Sequence, residues 1–235
     1  MGTFKEITKD LKTKATKEKA AILSRFFKTG KGEYGEGDKF YGIIVPEQRK
    51  IAKAHCSTTT KETIIALLDS AYHEERLTGL YILNQKFTEA LKQDEAKQWV
   101  DLYLKKADRV NNWDLVDSTA HIILGQWLDD KDRSILYILA KDRLLWKNRI
   151  AVVATLHFIR KNDLKDILKI SEIMIDHKHD LIHKATGWML REAWKKDANI
   201  VEEFLNKHAH NMPRTMLRYA IEKIPEIKRK AYLDK

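Results

Sequence analysis

Apolar residues recur at helical spacing from one end of the chain to the other. That period predicts helices over 3–28, 46–55, 60–70, 73–87, 93–106, 112–128, 131–141, 144–160, 163–175, 180–196, 198–208, 213–223 and 226–233. The connections between them are short, which favours antiparallel neighbours. No Pro/Ser-rich linker interrupts the series, so a single domain over residues 1–235 is expected. The one irregular stretch is "TGKGEYGEGDKFYG" (29–42), which holds five of the nine glycines. It lacks the Gly-Lys-Ser/Thr step and the preceding strand of a nucleotide-binding loop, and reads as a connection able to wrap a nucleic-acid backbone.

The helices repeat. A charged residue leads into an apolar helix at Arg76, Asp114, Arg149, Lys184 and Arg214, at spacings of 38, 35, 35 and 30 residues, each time after another amphipathic helix. A helix pair recurring at this period predicts an all-α fold, an α-solenoid of HEAT-like units. Four of the five leading residues are Arg or Lys, which predicts a cationic line down the concave face of a curved stack. Only the second unit has Asp.

Two helices break the simple apolar-in, polar-out rule. In 112–128, Val116, Ala120, Ile123 and Trp127 form the stripe, with Trp113 and Leu124 at its edge. Asp117 falls one step further out, on the same face as Trp113. Asp114 has a bland explanation as a first-turn carboxylate on the helix dipole, behind Asn111 or Asn112 as cap. Asp117 begins the second turn, where that benefit fades, and two readings stand: a structural ion pair or a reactive acid. In 180–196 the stripe is Ile182, Ala185, Met189, Leu190 and Ala193. Trp188 lies outside it, within an arc containing Lys184, Arg191 and Lys195. Either it stacks against a nucleic acid beside phosphate-binding side chains, or it packs under lysine stems. Asn148 and Arg149 open the intervening helix, and Arg214 and Arg218 continue the basic line in "MPRTMLRYAIEKIP".

Charge sharpens the partner class. A net charge of +10 and a pI near 9.4 draw polyanions, nucleic acid first. No long basic helix with an aromatic apolar face is present, and no apolar run approaches membrane length, so a membrane partner, a signal peptide and a spanning segment are not expected. One cysteine, Cys56, excludes an internal disulfide framework and fits a reducing cytoplasm. The histidines of "DHKHDLIH" (176–183) and "HAH" (208–210) have no partner ligands at a recognisable spacing, and no metal or cofactor is expected.

With Trp113, Asp117, Arg149, Trp188 and Arg191 in view, the chain resembles the AlkD family of DNA alkylation repair glycosylases. The resemblance runs through "GIIVPEQRKIAK", "NNWDLVD", "LWKNRIAVVATLHFIRK", "HDLIHKATGWMLRE" and "MPRTMLRYAIEKIP". It implies a curved HEAT-like solenoid and excision of cationic alkylpurines, chiefly N7-methylguanine and N3-methyladenine, from double-stranded DNA without metal or cofactor. It also implies that the lesion stays in the helix rather than being flipped into a pocket. Asp117 is implied as the catalytic acid, with Trp113 and Trp188 beside it. Arg149 and Arg191 are implied as site arginines, and Arg49, Lys184, Asn148, Arg214 and Arg218 are expected to contact DNA along the basic line. The chain departs from the family pattern at Ile44 and Val45, where polar residues are usual, and at Phe26, where a tyrosine is usual. A monomer in the cytoplasm, associated with the nucleoid when bound to DNA, is expected. The rival reading is a non-catalytic solenoid that binds unusually shaped DNA, or a protein adaptor.

Overall fold

Capping side chains set where several helices begin. The computed structural model describes residues 2–234. Helix α1 (Phe4–Thr13) opens with a capping box: Glu6 N–H donates to Thr3 Oγ1 at 3.3 Å and Thr3 N–H to Glu6 Oε2 at 3.1 Å. Helices α2 (Lys17–Phe26) and α3 (Val45–His55) follow, then α4 (Lys61–Leu68), which is capped by Thr60. Next come α5 (His73–Leu91), α6 (Lys97–Lys105) and the short α7 (Trp113–Asp117). After a π-helical turn over His121–Gly125 come α8 (Ser134–Ala140), α9 (Leu145–Ala154), α10 (Leu156–Arg160) and α11 (Lys165–Met174). The series ends with α12 (Asp180–Trp194), α13 (Ala198–His208), α14 (Arg214–Ala220) and α15 (Glu226–Leu233). Among the described residues the only β-type pairing is an isolated bridge between Lys39 and Tyr72.

Three expected helices are each divided, for local reasons. The run 3–28 breaks at Thr16, whose N–H leaves the helical ladder for Tyr41 carbonyl oxygen at 2.9 Å. The run 112–128 breaks after Asp117, where Thr119 turns its hydroxyl back onto Leu115 carbonyl oxygen at 2.7 Å. The run 144–160 breaks at Thr155, whose hydroxyl does the same to Val152 at 2.6 Å. Such back-bonding competes with the helical ladder. Periodicity of apolar residues does not register it.

The chain forms two compact units, Met1–Thr119 and Ala120–Lys235. In the first, α5 is the central helix, with α3, α4 and α1 packed against it. Its Leu77, Leu80, Ile82, Leu83 and Phe87 are buried. In the second, α12 is central, flanked by α9, α11, α13 and α14, and its predicted stripe of Ile182, Ala185, Met189, Leu190 and Ala193 is fully buried. Gly187 lets α12 and α14 approach: a Cβ there would lie 2.4 Å from Met216 carbonyl oxygen. The pairs α4–α5, α8–α9 and α11–α12 are the recurring units that the repeat spacing predicts.

The cationic line is only partly present. Arg76 and Arg149 are 0% and 4% exposed, so two of the four basic leading residues enter the core. Arg214 stays at the surface and Lys184 is half-exposed.

Candidate functional site

The two carboxylates of α7 do different work. Asn112 is buried and opens the helix by accepting Trp113 N–H on Oδ1 at 2.8 Å. Asp114, in the first turn, places Oδ2 2.8 Å from His73 Nε2, and the other ring nitrogen faces Asp38 Oδ2 at 3.4 Å. Burial alone would lower the His73 pKa, but the charge and hydrogen bond of Asp114, with the bond to Asp38, push it up to about 9. His73 is therefore an imidazolium at neutral pH, donating from both nitrogens. Asp117 sits one turn beyond Trp113 and is half-buried. Asp114 fastens α7 to the start of α5.

That start is the sequence "HEER" (73–76), and all four side chains are buried. Arg76 Nη2 donates to Asp38 Oδ2 at 2.6 Å and Nη1 to Ser70 carbonyl oxygen at 2.9 Å. Burial would raise the Asp38 pKa, yet the hydrogen bond from His73 and the Arg76 charge hold it below the usual carboxylate value. Glu74 accepts backbone N–H groups from Tyr41, Gly42 and Ile43 at 2.8–3.2 Å. Glu75 accepts from the Tyr41 hydroxyl at 2.6 Å. The end of the glycine-rich segment is thus bolted to α5.

The earlier part of that segment answers its own amides. Gly30 and Gly32 N–H groups donate to Glu33 and Glu36 carboxylates, each at 2.8 Å. Carboxylates in those positions repel a phosphate, so the loop has no anion cradle to offer.

Aromatic rings surround the imidazolium. Phe27 stacks on His73 at 4.8 Å and on Phe40 at 5.3 Å, and lies 5.4 Å from Trp113. Phe26 meets Trp113 edge-on at 5.9 Å. Arg49, on α3, is exposed, with its guanidinium 5.2 Å from the Tyr81 ring centroid.

In the second unit, Trp188 is half-buried and forms one wall of an open pocket of about 380 Å³ with Leu156, Ile159, Arg160, Glu192, Lys195 and Lys196. The cations of its arc are matched by acids: Lys184 pairs with Asp180 at 2.8 Å, Lys195 with Glu192 at 2.7 Å, and Arg191 with Glu222. Arg149 Nη1 donates to Leu181 carbonyl oxygen at 2.5 Å. Asn148, 2% exposed, spends its amide nitrogen on the carbonyls of Leu139, Ala140 and Asp142, closing the end of α8. That engagement leaves no donor of Asn148 for DNA. Arg218 is exposed, and Arg214 holds Leu233 carbonyl oxygen at 2.8 Å.

The histidine-rich segment is occupied with capping. His179 Nδ1 accepts Leu181 N–H at 3.1 Å, and His177 Nδ1 accepts His179 N–H at 3.0 Å. Burial lowers both pKa values, helped by the neighbouring His183 and, at His179, opposed by the Asp180 charge, as acceptor nitrogens require. Cys56 is buried, which pushes its thiol pKa up and makes it a poor nucleophile.

A family model described as "DNA alkylation repair enzyme" matches residues 7–224. The chain belongs to that family. Among solved structures, a predicted DNA alkylation repair enzyme from Enterococcus faecalis is similar over 91% of this chain and 98% of its own, with a TM-score of 0.73 and 19% identity. At that identity the likeness shows a shared fold, the helical repeat array of DNA alkylation repair enzymes. No curated protein matches the sequence. Family membership gives the chain a role in DNA alkylation repair.

For this member of the family, sequence reasoning missed the Asp38–His73–Arg76–Asp114 network. Its signal was present: four consecutive charged residues leading into a helix that is otherwise apolar for two turns. Burial of such residues demands partners. Reading Arg76 as one more surface cation, and Asp114 as a dipole acid, hid their pairings with Asp38 and His73. The departures at Phe26, Ile44 and Val45 also gather at one place, the mouth of a pocket in the first unit.

Proposed function

We propose that the chain is a monofunctional DNA glycosylase that removes N-alkylated purines from double-stranded DNA. The observation that carries this reading is the half-buried Asp117, one turn from Trp113, on a helix held in place by the Asp114–His73 pair. In a protein of net charge +10, a fixed acid beside an indole suits a cation, and DNA itself is not one.

The chemistry follows from the leaving group. A purine alkylated at N7 or N3 is cationic while attached to deoxyribose. When the C1′–N bond breaks, its electron pair departs with the base, which leaves uncharged, and positive character passes to the sugar. The Asp117 carboxylate stabilises that charge and orients a water, whose oxygen bonds to C1′ as its proton passes to solvent. The products are the free alkylpurine and an abasic site. Preorganised electrostatic groups of this kind are worth roughly 10²–10³ in rate. Trp113 presents an electron-rich face to the sugar cation, and Trp188, in the second unit, offers an aromatic face to DNA. Arg49, Lys184, Arg191, Arg214 and Arg218 hold phosphates and fix register. Arg149 and Asn148 act through the backbone carbonyls they bind. No lysine is assigned as a Schiff-base nucleophile, so lyase activity is not part of the proposal.

Release of bases from duplex DNA carrying N7-methylguanine, N3-methyladenine or a neutral lesion tests it. Release of the two cationic bases with retention of the neutral one is expected. Equal release of the neutral lesion, or none from any substrate, contradicts a mechanism that depends on a charged leaving group.

A further inference from the structure

The first unit holds a pocket of about 260 Å³ that the catalytic reading does not use. Its inner wall is aromatic and buried: Phe27, Phe40 and the His73 ring. Its mouth is apolar and open, with Ile22, Phe26, Ile44 and Val45 between 38% and 59% exposed. Single exposed apolar residues are ordinary, but four around one opening are not. The pocket is too small for the drug-sized ligands that fill roughly 300–1,000 Å³, and has room for one small ring system.

Two of its lining residues ask for a donor. Gln48 is 2% exposed, and while its Nε2 donates to Ile43 carbonyl oxygen at 2.9 Å, its Oε1 has no hydrogen-bond partner. Asp114 Oδ1 likewise has none, its sister oxygen being taken by His73. A buried acceptor without a partner is costly, so an occupant bringing N–H groups satisfies both. Beneath the pocket Asp38, Glu74, Glu75 and Asp114 lie with His73 and Arg76, Arg109 stands beside Arg76, and Lys19 lines the wall.

From these features we infer that the pocket is a nucleobase site: a planar, stackable nitrogen heterocycle enters past Phe26 and meets Gln48 and Asp114 with its N–H edge. An aliphatic or phenyl side chain of a protein partner would fill the aromatic part and leave both acceptors unmatched. A phosphate would set its own acceptor oxygens against theirs. The inference deepens the alkylpurine reading above and rests on it for the choice of a base over other heterocycles. The base can arrive free in solution or unstacked from a strand, and both sources share the same chemistry.

The test uses the full chain and two arms. In the first, adenine and 3-methyladenine are titrated and followed by saturation-transfer NMR, with ribose as the control. In the second, a duplex with one bulged adenine is compared with its fully paired counterpart. Saturable base binding is expected, weakened about 3–10-fold by Gln48→Met, which keeps the volume and removes the acceptor. Loss is expected with Val45→Trp, which plugs the mouth at a partly exposed position. Circular dichroism confirms that each variant is folded. Binding of free base alone assigns the pocket to free bases, and a Val45-sensitive preference for the bulge assigns it to unstacked ones. Absence of both, or binding untouched by either folded variant, overturns the site. Excision of alkylpurines without base binding would overturn this inference and leave the glycosylase reading standing, whereas base binding without excision would do the reverse.

Discussion

His73 Nε2 and Asp114 Oδ2 lie 2.8 Å apart, joining the first turn of α5 to the first turn of α7. The pair is buried, His73 almost completely, and it fixes the helix that carries Trp113 and Asp117. A charge left alone there is expensive.

Asp114→Ala should destabilise the protein by about 3–5 kcal/mol, because it strands the imidazolium and frees the start of α7. Chemical denaturation reads this directly. A loss under about 1 kcal/mol would mean that the pair does not anchor the helix.

The same pair predicts a pH dependence. The folded pKa of His73 is raised to about 9 from an ordinary value of 6.5. Its contribution to stability is therefore complete below the ordinary value and is lost as pH rises through the folded one. Melting temperatures measured from about pH 6 to about pH 10 should fall across that window, and the fall should be shallower in His73→Asn. Parallel curves for the two proteins would assign the pH dependence elsewhere.

Gly42→Ala tests the bolt between the glycine-rich segment and α5. Gly42 has φ of +83°, and an added Cβ would lie 2.2 Å from Thr16 carbonyl oxygen. A loss of about 2 kcal/mol or more is expected from backbone strain and collision. An unchanged denaturation midpoint would show that the segment yields freely there.

Much of this architecture was legible in the chain. The stripe of α12 reads directly from spacing, and each of its five residues is buried as the period demands. The breaks at Thr16, Thr119 and Thr155 were not legible, because each depends on where one threonine sends a hydrogen bond. Arg76 and Arg149 misled for a related reason: position in a repeat predicts which face a residue leaves from, and says nothing of whether a partner waits inside. Trp188 read correctly as lying outside the buried stripe, and it lines an open pocket among cations. The network around His73 joins residues 35 and 41 positions apart, a pairing that local pattern does not reach.

Salt dependence tests the phosphate contacts. Each phosphate neutralised in duplex DNA contributes about 0.9 to the slope of log affinity against log salt. Arg218, exposed on α14, should account for one, so Arg218→Gln should lower the slope by about that amount with little change in stability. A slope identical to that of the unaltered protein would remove Arg218 from the interface.

The most direct measurement is single-turnover release of N7-methylguanine by the wild type and Asp117→Asn, with duplex affinity and melting temperature recorded for both. Release by the wild type, and a fall of roughly 10²-fold or more in a variant that stays folded and binds duplex alike, are predicted. Release at the same rate by both proteins would contradict the account, because the sugar cation would then form without the acid assigned to meet it.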